Sequence, residues 1–195
     1  MQPIRIGVLG SGSGSNFQAL LDAIQSGTLS AEIVQVMSDV PHARILDRAR
    51  HAGIPANVID CHGYANKFPL ESQQAVAAAM VDAGAELVCL AGFMRLIKSP
   101  LLQAFQQRVI NIHPSLLPAF PGLEAWKQAL DARAVETGCT VHYVDAGMDT
   151  GPIIMQARVP VLPDDTYASL HARIQEQEHQ LYPAAIRQII PTLRD

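Results

Sequence analysis

Cysteine, aromatic residues and runs of one charge are all scarce in this chain of 195 residues. Its three cysteines, Cys61, Cys89 and Cys139, are odd in number and far apart, with no Cys-x-x-Cys pair. That excludes a disulfide framework and the common zinc spacings. Cys89 and Cys139 sit in apolar strand-like runs, as buried thiols do in a reducing compartment. The formal net charge is -4 and no basic cluster is long enough to follow a phosphate backbone, so nucleic acid is not an expected partner. No apolar run reaches spanning length, and the N-terminus enters a strand without a signal-peptide core. The expected location is therefore cytoplasmic, with no membrane partner.

About half the residues (49%) are apolar and only 5% aromatic, which suits an aliphatic core of sheet and helices. Strand-like and helix-like segments alternate along the chain. Ile4–Leu9 reads as a first strand, followed by Gly10-Ser11-Gly12-Ser13-Gly14-Ser15-Asn16 and a helix over Phe17–Ile24. Strands are expected at Ile33–Met37, Asn57–Ile59 and Leu87–Ala91, with helices at Ala43–Ala52 and Gln73–Ala83. Cys61–Ser72 reads as irregular, and a short helix starts at Ser99-Pro100. Such alternation predicts right-handed βαβ units. The expected fold is a single α/β domain over residues 1–195, a mostly parallel Rossmann-like open sheet with helices on both faces. Later the rhythm changes. A helix over Glu124–Ala132 leads to strands at Cys139–Val144 and Ile153–Val161, joined by a turn-rich loop, which predicts an antiparallel pair. Thr166–Ile190 is mostly helical, and Pro183 should kink or interrupt it.

Three stretches carry chemistry. The strand–glycine loop–helix unit at the N-terminus suits an anion, because glycines let the backbone approach and free N–H groups open the helix. It is not a Walker loop, since no Lys-Ser or Lys-Thr follows. It nearly fits the dinucleotide fingerprint, with Ser15 in place of the third glycine and Asp39 after the second strand, so a dinucleotide-binding oxidoreductase stays open. In Val109-Ile110-Asn111-Ile112-His113-Pro114, β-branched residues form a strand that Pro114 ends. Asn111 and His113, two apart, share one face at its carboxyl end, where open α/β sheets bind ligands. They can stabilise an oxyanion and move a proton, or they can simply cap the strand. Glu178 falls on the apolar stripe of Leu170, Ile174 and Leu181, where a carboxylate is costly unless paired. His142 reads as a structural strand histidine. His113, His142 and Asp149 match no standard zinc spacing, so no metal is expected.

Asn111-Ile112-His113-Pro114-Ser115-Leu116-Leu117-Pro118, Phe120-Pro121-Gly122-Leu123 and Asp149-Thr150-Gly151-Pro152 together resemble the folate-dependent formyltransferases. The likeness runs from Gly12 to Pro183. It implies a single formyltransferase domain, its N-terminal half binding phosphate and its C-terminal half binding folate and carrying catalysis. The implied cosubstrate is 10-formyltetrahydrofolate and the implied acceptor is the amine of phosphoribosylglycinamide, with another amine, such as an amino sugar, as the alternative. By the same resemblance Asn111, His113 and Asp149 are catalytic. Gly12, Ser13, Gly14, Ser15, Asn16 and Glu178 bind the phosphoribosyl substrate, while Met94, Arg95, Leu96, Ile97 and Asn111 bind the folate. A homodimer is compatible with this reading. Two departures stand out: the family usually has histidine at one or both of the positions of Glu124 and Trp126, and no arginine lies between Lys67 and Ser72, leaving Lys67 as the substitute.

Overall fold

The computed structural model describes residues 2–64 and 67–194. Residues 65 and 66, within the segment read as irregular, lie outside the described residues. Among the described residues seven strands form one sheet in the order β3-β2-β1-β4-β5-β6-β7. They are β1 (Ile4–Leu9), β2 (Ala31–Ser38), β3 (Ala56–Val58), β4 (Leu87–Leu90), β5 (Val109–His113), β6 (Glu136–Tyr143) and β7 (Ile153–Pro160). The first five pair in parallel. β6 runs antiparallel to both β5 and β7, so the expected antiparallel pair is present and is joined to the parallel part through β5.

Period-two alternation sorts the strand residues into two cores. From β4, Leu87 and Cys89 enter one core while Val88 and Leu90 enter the other. The first is covered by α1 (Ser15–Gln25), α2 (Arg44–His51), α5 (Ala125–Asp131) and α6 (Tyr167–Ile189), and the second by α3 (Leu70–Asp82) and α4 (Ser99–Ala104). Helices thus lie on both faces. All three cysteines are buried free thiols.

Element limits shift by three residues from the sequence reading at two places, and by one or two residues elsewhere. α3 starts at Leu70 rather than Gln73, with Pro69 at its N-cap. β6 starts at Glu136 rather than Cys139, because Glu136, Thr137 and Gly138 pair with Pro160, Val159 and Arg158 although Gly138 breaks the apolar pattern. A larger correction concerns Pro183, which does not interrupt α6. The ring removes one backbone donor, but Leu181, Tyr182, Ala185 and Ile186 around it are buried. Packing of these residues carries the helix across the missing bond. The Tyr182 hydroxyl also donates to the Leu90 carbonyl at 2.9 Å, fastening α6 to the sheet there.

β1 and β4 are neighbours, and the strand order reverses at that junction. Their carboxyl ends feed the glycine loop and the Gly92–Ile97 segment respectively. Open α/β sheets place ligands at such a switch point.

Candidate active site

A cavity of about 770 Å³ opens at this junction. Every site residue expected from the sequence lines it: Gly12–Asn16, Met94–Ile97, Asn111, His113, Asp149 and Glu178. One end is backbone-rich. Gly14 sits at φ 71°, in the left-handed region, and is the N-cap of α1. The free N–H groups of the first turn therefore face the cavity end, a ready anion site. Arg48 of α2 donates from Nε to the Ser13 carbonyl at 2.9 Å, bringing positive charge beside the loop.

Glu178, on α6, meets this end of the cavity. It is 5% exposed and accepts a hydrogen bond from Asn16 Nδ2 at 2.9 Å. Burial pushes its carboxyl up to about 7, against the opposing effect of the Asn16 bond. His171 and Gln175 precede it by seven and three residues and also line the cavity. The Trp126 and His171 rings stack in parallel, with centroids 3.8 Å apart. Glu124 is exposed and pairs with Lys127. The two positions thus differ in surroundings: Trp126 is a cavity-wall aromatic and Glu124 belongs to a surface ion pair at the rim.

The centre of the cavity is built by β5 and β6. Register pairs Asn111 with His142 and His113 with Thr140, so the amide and both imidazoles lie on one face. His142 is 2% exposed, and its Nδ1 lies 2.8 Å from its neighbour's carbonyl, at Tyr143. Burial lowers its pKa, so the ring is neutral near pH 7, with Nδ1 as the donor to Tyr143 and Nε2 as an acceptor. Asn111 Nδ2 lies 3.2 Å from that Nε2. One N–H of the amide is thereby spent on His142, and the second remains for a ligand oxygen. Strand pairing, invisible in the linear sequence, brings His142, read from the sequence as a structural strand histidine, beside Asn111.

His113 is 4% exposed. Its Nε2 lies 2.9 Å from the Phe120 carbonyl, and its Nδ1 lies 3.4 Å from Asp149 Oδ2. Both ring nitrogens face oxygen acceptors, so each is placed to carry a hydrogen. Asp149 sits at φ 55° and accepts from the Gly122 N–H at 2.8 Å. Its loop is folded on Asp145, whose Oδ1 accepts from the Gly147 N–H at 3.0 Å and the Thr150 hydroxyl at 2.7 Å.

Asp39 does not line the cavity. Its Oδ1 accepts from Ser11 Oγ at 2.5 Å and its Oδ2 from Arg95 Nε at 2.6 Å. Both oxygens are engaged within the protein and the side chain is 6% exposed, so the carboxylate is not presented to a ribose, and the dinucleotide reading loses its acidic residue. Lys67 also stays outside the cavity lining; its ammonium lies 5.3 Å from the Tyr64 ring centroid. Among the described residues no group of three or more His, Cys, Asp or Glu side chains is arranged to hold a metal ion. Nor is any described helix long and apolar enough to cross a membrane.

Comparison with known proteins agrees with this geometry. A formyl transferase family model matches residues 4–186, and the chain belongs to that family. The phosphoribosylglycinamide formyltransferase of Bacillus subtilis is 42% identical over 186 residues, covering 95% of this chain and 94% of that protein. The trifunctional purine biosynthetic protein adenosine-3 of Drosophila melanogaster is 47% identical over 190 residues. There the match covers 95% of this chain but only 14% of the relative's length. Among solved structures, glycinamide ribonucleotide transformylase 1 of Symbiobacterium toebii is similar at a TM-score of 0.91 and 51% identity, covering 95% of this chain and 87% of that one.

Proposed function

We propose that this chain transfers the formyl group of 10-formyltetrahydrofolate to the amine of 5-phosphoribosylglycinamide. The products are formylglycinamide ribonucleotide and tetrahydrofolate, a step of de novo purine biosynthesis. The observation that carries the proposal is the continuity of one cavity. It joins an anion-binding helix N-terminus, the Asn111–His113–Asp149 centre and the Met94–Ile97 segment, so that two ligands can meet at the centre. Gly12–Asn16 and Glu178 hold the phosphoribosyl group, and the backbone of Met94–Ile97 holds the pterin end of the folate. Phosphate binding thus falls in the N-terminal half and catalysis in the C-terminal half, with Glu178 reaching across.

The reaction needs a neutral amine to attack the formyl carbon. As the carbon becomes tetrahedral its oxygen gains negative charge, and the free N–H of Asn111 donates to it. Removal of such a donor typically costs ~10²–10³ in rate. His113, protonated, adds positive charge beside that oxygen and delivers a proton to the leaving N10. Asp149 orients His113 and accepts the proton lost by the amine, through water. His142 fixes the Asn111 amide so that an N–H, rather than the carbonyl oxygen, faces the reacting centre. The proposal requires no metal and only small-molecule partners, in a cytoplasmic setting.

The test is to mix the protein with a 10-formylfolate and phosphoribosylglycinamide and follow the ultraviolet change on deformylation. Deformylation that depends on the glycinamide supports the proposal. Deformylation without any amine indicates a hydrolase and overturns it. Folate binding with no transfer shifts the acceptor to another amine, such as an amino sugar, the reading that Trp126 and Glu124 would then favour.

A further inference from the structure

Asp39 was singled out by its position after β2, and neither the cavity nor the proposed chemistry uses it directly. Its carboxylate is nevertheless buried and bonded through both oxygens. The Asp39 and Arg95 side chains are 6% and 7% exposed and paired at 2.6 Å. Ser11, on the glycine loop, donates its hydroxyl to Asp39 Oδ1 at 2.5 Å. The same hydroxyl accepts from the Met94 N–H at 3.0 Å. Next to it, the Ser11 N–H donates to the Gly92 carbonyl at 3.0 Å. From the other side, Arg95 Nη1 donates to the carbonyls of Tyr64 at 2.9 Å and Lys67 at 2.6 Å. The carboxylate therefore connects the glycine loop to the 92–97 segment, and its partner Arg95 extends the connection to the carbonyls of Tyr64 and Lys67.

We infer that Asp39, with Ser11, is a positioning pair that fastens the phosphoribosyl-binding loop to the folate-binding segment, so that each substrate's site depends on the same buried tie. The inference rests on the substrate assignment above. The physical basis is the geometry of the switch point. β1 and β4 end side by side, and the two loops leaving them both line the cavity. Between these two strands, backbone pairing runs one step past their ends, through the Ser11 N–H to Gly92 carbonyl bond. Beyond that point the Ser11 hydroxyl and the Asp39 carboxylate bridge the loops, while Arg95, held by the Tyr64 and Lys67 carbonyls, fixes the carboxylate's second oxygen. A buried, fully satisfied polar network of this kind admits one arrangement, and removal of one member leaves the others without partners. Neither Ser11 nor Asp39 lines the cavity, so neither needs to touch a ligand to act.

A role confined to neutralising Arg95 would alter folate binding or stability alone. A tie between the loops makes a different prediction, readable by calorimetric titration of tetrahydrofolate and of phosphoribosylglycinamide, each alone, into the folded protein. With Asp39→Asn, affinity for both ligands should fall by about three- to tenfold. Ser11→Ala, which keeps the ion pair and with it the fold, should also weaken both. Because the two residues share one network, the double variant should be little worse than Asp39→Asn alone. Near-wild-type affinity for phosphoribosylglycinamide in both single variants, or full additivity in the double variant, overturns the inference. Failure of the wild-type protein to bind phosphoribosylglycinamide would overturn the substrate assignment and this inference with it. Binding of both ligands by wild type without the cross effect would overturn the inference alone.

Discussion

Asn16 at the start of α1 and Glu178 in the middle of α6 are 162 positions apart in sequence and 2.9 Å apart in space. The contact explains how a carboxylate tolerates the apolar stripe of α6, and it makes a pH prediction. Burial raises the Glu178 pKa from 4.5 to about 7 in the folded chain, so folding takes up a proton between those values. This group's contribution to stability is greatest below about pH 4.5, falls as pH rises toward 7, and stays unfavourable above it. Glu178→Gln keeps an acceptor for Asn16 and removes the charge. Its Tm relative to wild type should therefore climb between pH 5 and 7.5 by several degrees, since ~1 kcal/mol moves Tm by roughly 2–4 °C in a chain of this size. A difference in Tm independent of pH would show that the buried carboxyl is not the titrating group.

The same substitution should separate stability from binding. If Glu178 accepts from the ribose, Glu178→Gln gives a protein that is more stable at pH 7.5 yet has a higher KM for phosphoribosylglycinamide, with KM for the folate unchanged. Steady-state kinetics at fixed saturating folate reads this directly. An unchanged KM for the phosphoribosyl substrate would remove Glu178 from its binding site.

Most of the architecture was legible in the chain because β-branched runs, glycine stops and helical periodicity agree at each level. Asn111 and His113 could be placed on one face from strand geometry alone, and the structure keeps them there. What escaped the sequence depends on pairing between distant strands and loops. His142 reaches Asn111 only through the antiparallel register of β5 and β6. Asp39 looked like a ribose ligand because its pairing with Arg95 joins positions 56 apart, across the switch point. Pro183 misled because local rules end a helix where tertiary packing continues it. The family, and the substrates proposed for this chain, are legible in the ordered set of motifs and not in any single residue.

Asn111 and His142 should contribute in series. Asn111→Ala removes the oxyanion donor and should lower kcat by ~10²–10³ with little change in KM. His142→Phe keeps the apolar bulk on β6 but frees the amide to rotate, so kcat should fall as well. In an Asn111→Ala background the His142 substitution should then cost almost nothing further, because the amide it orients is gone. Additive losses would mean that His142 acts on the reaction independently.

His113→Ala should lower kcat by ~10²–10⁴, the usual size of a general-acid contribution, while calorimetry finds both substrates bound nearly as in wild type. Asp149→Asn should follow the same pattern. It keeps the shape and the contact from the Gly122 N–H but removes the charge facing His113. Near-wild-type turnover in either variant would overturn the role given to that residue.

Gly151 tests whether the loop after β6 acts through Asp149. A Cβ built at this position would lie 1.8 Å from the Tyr143 carbonyl oxygen, a backbone atom that cannot move aside without disturbing β6. Gly151→Ala must therefore push the 145–152 loop away from the strand and carry Asp149 with it. The phosphoribosyl end of the cavity lies on other elements, α1 and α6, and should stay intact. The expected result is a fall in kcat of about a hundredfold, the scale of a 1 Å misplacement, with phosphoribosylglycinamide affinity retained. Gly14→Ala is the counterpart. At φ 71° its Cβ would meet the Ile45 backbone at 2.8 Å, so phosphoribosylglycinamide affinity should fall first. If both variants lost the same parameter, the division of the cavity into a phosphate end and a catalytic centre would be wrong.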